Sequence, residues 1–317
     1  MKVTVTTPSR LHFTLIDLNG GLGRIDGSAG LTLERPQTIV EVRESERFSI
    51  EAKERTNELV RLARKITAHY KLPDRFTLAV RKQILKHAGL GSSTQLCMAV
   101  TKAITMLYGI KADARELAIL AGRGGTSGIG VGAFEHGGFI VDIGHSYGKD
   151  GEKKNFLPSS YSKAGPAPIA VRLEFPDWKV LLCIPEGAGL HGARELEYFR
   201  RHFPAGAKEA ERLSRIILMK MIPSVMEKDL DGFDESIRLM NKARSFTLPN
   251  ETKKLINDIN KAGGKATSMS SFGPTVFTFT DKQKTALKLK DIMADYGTVI
   301  ETKAQNRGAN VKINKKT

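Results

Sequence analysis

Cysteine and tryptophan are scarce in this chain, and long hydrophobic runs are missing. Its 317 residues include only two cysteines, Cys97 and Cys183, and one tryptophan. Both cysteines lie inside apolar segments without metal-ligand spacing, so we interpret them as reduced thiols of the core. No window approaches the roughly 20 apolar residues that a membrane-spanning helix needs, and the N-terminus alternates like a strand rather than a signal peptide. We therefore expect a cytoplasmic protein with no membrane partner.

Long runs of one charge sign are also missing, although the chain is strongly basic. Fifty Lys and Arg residues against thirty-four Asp and Glu residues give a net charge of +16. Such a charge attracts anions of many kinds, from nucleic acids to phosphorylated metabolites. The cations are spread along the chain without a recognisable nucleic-acid-binding module, which disfavours that function. A non-catalytic, basic nucleic-acid-binding protein is kept as the alternative from a different class.

Strand-like alternation dominates the first third of the sequence, and helical patterns then alternate with strands. A stretch rich in Gly, Pro, Ser and Lys over 146–168 is the best candidate for a domain junction or a long loop. We predict an α+β fold with two domains, over residues 1–160 and 165–317.

The segment KHAGLGSSTQ places two glycines and two serines between a strand pattern and a helix pattern. Ser92 with Gln95 three positions later has the form of a capping box, which predicts Ser92 as the N-cap of the helix. Unpaired amides at a helix N-terminus attract an anion, and glycines let the backbone approach it closely. The predicted phosphate-binding residues are Gly89, Leu90, Gly91, Ser92 and Ser93.

Three further segments carry residues typical of a functional site: 7–27, 125–138 and 268–280. The first two supply ionisable side chains in or near strands and turns, and the third is a turn of small residues entering a strand. The ionisable residues are Arg10, His12, Asp17, Arg24, Asp26, Glu135 and His136.

In order and spacing, these segments resemble the superfamily of galactokinase, homoserine kinase, mevalonate kinase and phosphomevalonate kinase, the GHMP kinases. The resemblance implies their two-domain fold, with an N-terminal domain like ribosomal S5 domain 2 and a ferredoxin-like C-terminal domain. Those kinases usually have an aspartate after Ser-Gly-Ile that helps position or activate the phosphoryl acceptor, and this chain has Gly130 there. The matching residues are Pro8, Arg10, Gly89–Ser93, Ser127–Ile129, Gly137, Gly138, Gly273 and Pro274.

Within that superfamily, the motifs RLHFTLIDLNG, GLGSSTQ and AFEHGGFIVDIGHS look like those of the archaeal β-ribofuranosylaminobenzene 5'-phosphate synthases of methanopterin biosynthesis. The resemblance implies phosphoribosyl transfer from 5-phosphoribosyl 1-pyrophosphate to 4-hydroxybenzoate or 4-aminobenzoate. The products are a C-riboside 5'-phosphate, CO2 and pyrophosphate. An ATP-dependent GHMP-type kinase of small molecules is the alternative. We expect the protein to be a homodimer.

This chemistry assigns expected roles to the candidate residues. Convergent amides, basic side chains and Mg2+ would neutralise the leaving pyrophosphate. A histidine titrating near neutrality suits removal of a proton from the para hydroxyl, and an arginine fork suits a carboxylate or phosphate. The candidate bases are His136 and His12, and the candidate anion-binding arginines are Arg10 and Arg24. The candidate Mg2+ ligands are Asp26 and Glu135. The family positions of Ser271 and Gly273 place them on the second wall of the site.

Overall fold

A computed structural model describes residues 1–159, 161–187, 189 and 191–314 of the chain. The strands are β1 (Lys2–Asp17), β2 (Arg24–Glu44), β3 (Ser49–Glu51), β4 (Phe76–Lys82), β5 (Phe139–Asp142), β6 (His145–Ser146), β7 (Ile169–Leu173), β8 (Lys179–Pro185), β9 (Lys265–Met269), β10 (Val276–Thr280), β11 (Gly297–Lys303) and β12 (Asn310–Asn314).

The helices lie between these strands along the chain, singly or in runs of several. They are α1 (Thr56–Tyr70), α2 (Ser92–Leu107), α3 (Ala114–Ala121), α4 (Ile129–Glu135), α5 (Gly192–His202), α6 (Ala207–Ile216), α7 (Ile222–Met226), α8 (Leu230–Ala243), α9 (Asn250–Lys261) and α10 (Gln283–Ala294). A π-helical turn (Ile217–Met221) joins α6 to α7. Among the described residues, no helix has the length and apolar composition that crossing a membrane requires.

The first sheet has eight strands and is built on the long antiparallel pair β1 and β2. Its main order is β12-β1-β2-β4-β3, while β5 and β6 pair with β2, and β7 pairs with β5. Alternate residues of β1, including Val3 and Val5, are fully buried against α1, α2 and α3. This period-two burial fixes the register of the strand, because a slip of one residue would expose the apolar side chains.

The second sheet has four antiparallel strands in the order β11-β8-β10-β9. Helices α9 and α10 cover one face, and α6 and α8 pack on the other. The α6–α8 side shares a core with the first sheet, since Leu11 and Phe13 of β1 lie in one cluster with Phe233 of α8 and Phe277 of β10. The two sheets are therefore packed together through a continuous apolar core, and the α+β class is confirmed.

The sheets do not follow the predicted domain limits. Strands β7 and β12 come after residue 165 in sequence, yet both belong to the first sheet. The segment 146–168 also contacts the first domain, because Lys153 Nζ donates to Asp26 Oδ2 (2.8 Å) of β2. The first domain is thus completed by residues from both sides of the second.

Candidate active site

The Gly89–Ser93 segment forms a tight turn that leads into α2. Gly89 has a φ angle of +74° and Gly91 of +82°, in the left-handed region that favours glycine. A Cβ atom on Gly89 would lie 2.4 Å from the carbonyl oxygen of Ser270, so the close approach also requires glycine there. The two glycines therefore let the backbone turn sharply at the helix start.

The predicted capping box is wrong. The N-cap of α2 is Gly91, and no side chain caps the helix. Instead of reaching back to the helix start, the buried Gln95 donates from Nε2 to the carbonyl oxygen of Gly130 (2.7 Å) and ties α2 to α4. The first amides of α2 therefore have no side-chain acceptor and remain available to an external anion.

The turn between β9 and β10 holds this loop from the second sheet. Ser270 Oγ donates to the carbonyl oxygen of Gly89 (2.7 Å), and Thr275 Oγ1 donates to that of Ala88 (2.6 Å). Arg10 of β1 also donates from Nη1 to the carbonyl oxygen of Gly89. The loop is thus positioned by both sheets, at the place where they meet.

The loop borders a cavity that we call the anion cavity. Helix α2 begins at one wall, and α5 begins at another. Two arginines and one carboxylate are among its described lining residues, which gives the cavity a positive charge. Its lining residues are Arg10, His87, Gly89, Gly91, Ser92, Ser93, Thr94, Arg123, Gly124, Ser127, Gly130, Ser159, His191, Gly192, Glu195 and Ser271.

Arg10, Arg123 and Glu195 define the electrostatics of the anion cavity. Burial, with a contribution from Arg123, lowers the pKa of Arg10 to about 10. Burial raises the pKa of Glu195 to about 7, although Arg123 and Arg10 act in the opposite direction. Arg123 is oriented by a hydrogen bond from its Nε to Thr94 Oγ1 (3.2 Å). Two partly buried arginines beside a carboxyl group with a raised pKa favour binding of a polyanion with its metal ion.

Two histidines also line the anion cavity. The rings of His87 and His191 stack with their centroids 3.6 Å apart. Burial, together with His191 and Lys86, lowers the pKa of His87. His191 precedes α5, so the stacked pair joins the start of that helix to the segment before the phosphate loop.

A buried polar chain leads from the first sheet to the anion cavity. Ser127 lies on the cavity wall, and its Oγ is 2.7 Å from Ser28 Oγ. Ser28 in turn donates to Asp142 Oδ2. Burial raises the pKa of Asp142 to about 6, against the hydrogen bonds from Ser28 and the amides of Gly144 and Gly128. Asp142 thus orients the Ser127 wall through Ser28.

A second cavity, which we call the aromatic cavity, adjoins the first. Ser271 lines both cavities and has a φ angle of +57°, which is unusual for a residue other than glycine. Its amide donates to the carbonyl oxygen of His12 (2.9 Å). The lining residues of the aromatic cavity are His12, Phe13, Thr14, Leu15, Leu18, Tyr198, Phe203, Glu209, Arg244, Ser245, Phe246, Ser271 and Phe272.

His12 lies on the wall of the aromatic cavity, but it does not have the near-neutral pKa on which its predicted role as a base depends. Burial, followed by Arg10 and Arg244, lowers its pKa to about 3. The imidazole is therefore neutral across the physiological range, so its assignment as a base poised near pH 7 is corrected. His12 lies two positions after Arg10, so the two side chains share a face of β1.

His136, Glu135 and Arg24 lie outside both cavities. His136 is the C-cap residue directly after α4, with its side chain 45% exposed, and its Nε2 is 3.4 Å from Glu135 Oε2. Arg24 is exposed and donates to the carbonyl oxygens of Ile143 (2.9 Å) and Gly144 (2.8 Å). None of the three lines the site. The structure therefore does not place these residues where their predicted roles require: His136 as a base, Arg24 as an anion ligand and Glu135 as a metal ligand.

Asp26 is also placed differently from the prediction. It is fully buried, and its Oδ2 is bound by His145 Nδ1 (2.7 Å) and Lys153 Nζ (2.8 Å). These basic partners occupy its carboxylate oxygen, and Asp26 lines neither cavity. The structure does not bring Asp26 and Glu135 to one metal site, and no group of three or more metal-ligating side chains occurs among the described residues.

Arg123, Glu195 and Arg244 are the site residues that the sequence analysis missed. Arg123 follows α3, Glu195 lies in the first turn of α5, and Arg244 follows α8. These three residues come from separate elements. Arg123 lies between two glycines, just before the glycine-rich segment 125–138, and that position was its signal. Glu195 and Arg244 have only the signal of a charged residue at the end of a helix, and most such residues are on the surface.

Comparison with known proteins identifies both the fold and the relatives of this chain. The GHMP kinases N terminal domain matches residues 57–138, and the GHMP kinases C terminal domain matches residues 221–298. A homoserine kinase from Cytophaga hutchinsonii superposes with a TM-score of 0.65 at 17% identity, covering 98% of this chain and 97% of that one. A phosphomevalonate kinase from Streptococcus pneumoniae reaches 0.70 at 14% identity, covering 96% and 100%. These structures show the GHMP fold.

Three archaeal relatives are much more similar in sequence. The beta-ribofuranosylphenol 5'-phosphate synthase of Archaeoglobus fulgidus is 41% identical, covering 97% of this chain and 98% of the relative. Proteins of the same name from Methanothermobacter thermautotrophicus and Methanocaldococcus jannaschii are each 40% identical, covering 98% and 96% of this chain and 98% of each relative.

Proposed function

We infer the function of this chain from one premise: it belongs to the family of the beta-ribofuranosylphenol 5'-phosphate synthases, on the GHMP kinase fold. It is an enzyme of this kind, and the kinase alternative has less support. We propose that it transfers the phosphoribosyl group of 5-phosphoribosyl 1-pyrophosphate to 4-hydroxybenzoate or 4-aminobenzoate, releasing CO2 and pyrophosphate. A role in methanopterin biosynthesis follows from the resemblance to the archaeal synthases.

The observation that carries this proposal is the anion cavity. It combines the uncapped start of α2 with Arg10 and Arg123, which suits the pyrophosphate group of the donor. Gly130 supports transfer at a sugar carbon rather than phosphoryl transfer, because it has no side chain to orient a hydroxyl group. A Cβ atom there would also lie 3.0 Å from Thr94 Cγ2, so an aspartate would crowd the cavity.

The proposed reaction balances without an oxidant or reductant. The bond from ribose C1' to the pyrophosphate oxygen breaks, and the ring carbon that bears the carboxylate bonds to C1'. The para hydroxyl group gives up its proton as the ring loses aromaticity. The bond to the carboxyl carbon then breaks, CO2 leaves, and its electron pair restores the aromatic ring. The phenolate oxygen finally regains a proton.

A magnesium ion fits the donor groups of the anion cavity. Mg2+ prefers oxygen ligands and is commonly held by one or two carboxylates together with substrate phosphates. Glu195 and the hydroxyl groups of Ser92 and Ser93 are the oxygen donors that the chain offers there. When bound, the ion would supply positive charge to the leaving pyrophosphate. We therefore propose Glu195, in place of Asp26 and Glu135, as the protein carboxylate that holds it.

Product analysis tests the proposed function. The protein is incubated with 5-phosphoribosyl 1-pyrophosphate, Mg2+ and either 4-hydroxybenzoate or 4-aminobenzoate, and the product is identified by mass and by its carbon–carbon bond in NMR spectra. A C-riboside 5'-phosphate from either acid supports the proposal. Formation of ADP from ATP with homoserine or mevalonate, without any C-riboside, would contradict it. Ser93→Ala serves as the variant expected to lose turnover while keeping its fold.

A further inference from the structure

Arg244 is a cation without an anionic partner on the wall of the aromatic cavity. Its Nη1 donates to the carbonyl oxygen of Phe13 (2.9 Å), and its Nη2 donates to Asn241 Oδ1 and Ser268 Oγ (3.2 Å). These acceptors are neutral, and no carboxylate among the described residues forms a salt bridge with the guanidinium within 4.0 Å. Burial lowers the pKa of Arg244 to about 10, although the charge of Glu209 acts in the opposite direction. The guanidinium is therefore positioned by neutral groups and forms no direct ion pair with a carboxylate of the described residues.

Arg244 also has N–H groups that the described contacts leave unused. A guanidinium has five N–H groups in a planar fork, and the described contacts of Arg244 engage three of them. Glu209 lines the same cavity, yet it is not within ion-pair distance of Arg244. Burying a cation whose N–H donors lack acceptors costs free energy of folding unless an anion binds to those donors. A carboxylate or phosphate brought by a ligand would supply that anion.

The other walls of the cavity select a flat apolar group. The rings of Tyr198, Phe246 and Phe272 are in mutual contact. The ring centroid of Tyr198 is 5.5 Å from those of Phe246 and Phe272, and the centroids of Phe246 and Phe272 are 5.3 Å apart. Aromatic rings at such distances and tilts pack well against a further ring. A sugar phosphate would leave most of its hydroxyl groups without partners on these walls, whereas an aromatic acid would not.

The position of the aromatic cavity relative to the anion cavity also fits an acceptor site. Ser271 lines both, and His12 lies between the charges of Arg10 in one cavity and Arg244 in the other. Residues two positions apart on a strand are roughly 6.5 Å apart. That spacing, between the Cα atoms of Arg10 and His12, is close to the roughly 6 Å length of a ribose unit from its 5' oxygen to its anomeric oxygen, so a sugar bound at the boundary would be within reach of both cavities.

We propose that the aromatic cavity binds the acceptor, with its ring against Tyr198, Phe246 and Phe272 and its carboxylate paired to Arg244. This inference rests on the proposed function, and it replaces Arg24 and Arg10 as the expected carboxylate ligands. Arg244 is thus the residue that distinguishes a benzoate from an uncharged phenol.

Calorimetric titration with two isosteric ligands tests the proposal. The wild-type protein is titrated with 4-hydroxybenzoate and with 4-hydroxybenzamide, which has the same ring but no negative charge. We expect the acid to bind about 30-fold more tightly, as for a charge-assisted pair of hydrogen bonds. In Arg244→Met the acid and the amide should bind with about equal affinity. Arg244→Lys should retain part of the preference for the acid, because lysine keeps the positive charge but lacks the planar fork of N–H donors. Equal affinities in the wild-type protein would overturn the proposal.

The matched control is Arg238→Met, on the same helix α8. Arg238 is exposed and pairs with Asp234, outside both cavities. It should retain the wild-type preference for the acid. If Arg244→Met does not fold, the wild-type comparison and Arg244→Lys still decide the matter, because neither depends on that variant.

Titration with ribose 5-phosphate separates the two anions that Arg244 could bind. We expect Arg244→Met to bind ribose 5-phosphate as the wild type does. A loss of ribose 5-phosphate binding with an unchanged preference for the acid would overturn the proposal and assign Arg244 to the donor. These titrations need no turnover, so a failure of C-riboside formation contradicts the proposed function independently of the result for Arg244.

Discussion

At the scale of single residues, the site depends on charged side chains that are less exposed to solvent than ordinary surface residues. Arg10 and Arg123 act on the same cavity as Glu195, and burial affects the pKa of both Arg10 and Glu195. Sequence patterns could identify Arg10, because it lies in a recognisable motif. They could not identify Glu195 or Arg244, because their function depends on distant elements coming together in the fold.

The pKa of Glu195 predicts a pH dependence. Its folded value of about 7 lies above the ordinary carboxyl value, so the anionic form needed to hold Mg2+ is lost as the pH falls through 7. The ratio of kcat/KM for the phosphoribosyl donor, wild type over Glu195→Gln, should rise about tenfold from pH 6 to pH 8. Titration of the substrate affects both enzymes equally, so it cancels in this ratio. A ratio that does not change with pH would contradict the assignment.

The buried cluster around Asp26 predicts a loss of stability. Asp26→Asn removes the charge that His145 and Lys153 share, so it should lower the free energy of unfolding by about 3–5 kcal/mol in urea titrations. Asp177→Asn is the control, because Asp177 is 83% exposed and should change stability by less than about 0.5 kcal/mol. An Asp26→Asn variant with wild-type stability but no Mg2+-dependent activity would restore its role as a metal ligand.

At the scale of elements, the phosphate loop was predictable and its cap was not. Glycines before an apolar helical pattern indicate a turn into a helix, and that is what Gly89–Ser93 forms. The capping-box prediction failed because Gln95 finds a better acceptor in α4, the carbonyl oxygen of Gly130. A local motif cannot reveal such a competitor, since α4 lies 35 positions away from Gln95.

The geometry of this loop predicts opposite outcomes for two glycine substitutions. Gly89 and Gly109 have nearly equal φ angles, +74° and +72°, so alanine strains both by about 1 kcal/mol. Only at Gly89 does the new Cβ atom meet another group, the carbonyl oxygen of Ser270 at 2.4 Å, whereas nothing lies within 4 Å at Gly109. Gly89→Ala should weaken binding of the phosphoribosyl donor about 100-fold, and Gly109→Ala should not, as calorimetry can measure. Equal affinities in the two variants would show that the loop does not bind the donor.

At the scale of the whole molecule, the sequence allowed the α+β class and the GHMP resemblance to be predicted, but not the division into domains. The predicted limit at residues 160–165 failed because β7 and β12 return to the first sheet, and strand pairing between distant segments leaves little local signal. The aromatic cavity escaped prediction for a similar reason: Tyr198, Phe246 and Phe272 come from three segments that meet only in the fold. The cytoplasmic location and the homodimer stay predictions of the sequence.

The central claim is that one catalytic event joins phosphoribosyl transfer to decarboxylation. The most direct measurement follows carboxyl-labelled 4-hydroxybenzoate with 5-phosphoribosyl 1-pyrophosphate and Mg2+, counting labelled CO2 and pyrophosphate in the same reaction. We predict equal amounts of the two products, neither being formed when either substrate is omitted. Release of pyrophosphate while the label stays in the organic product would contradict the account.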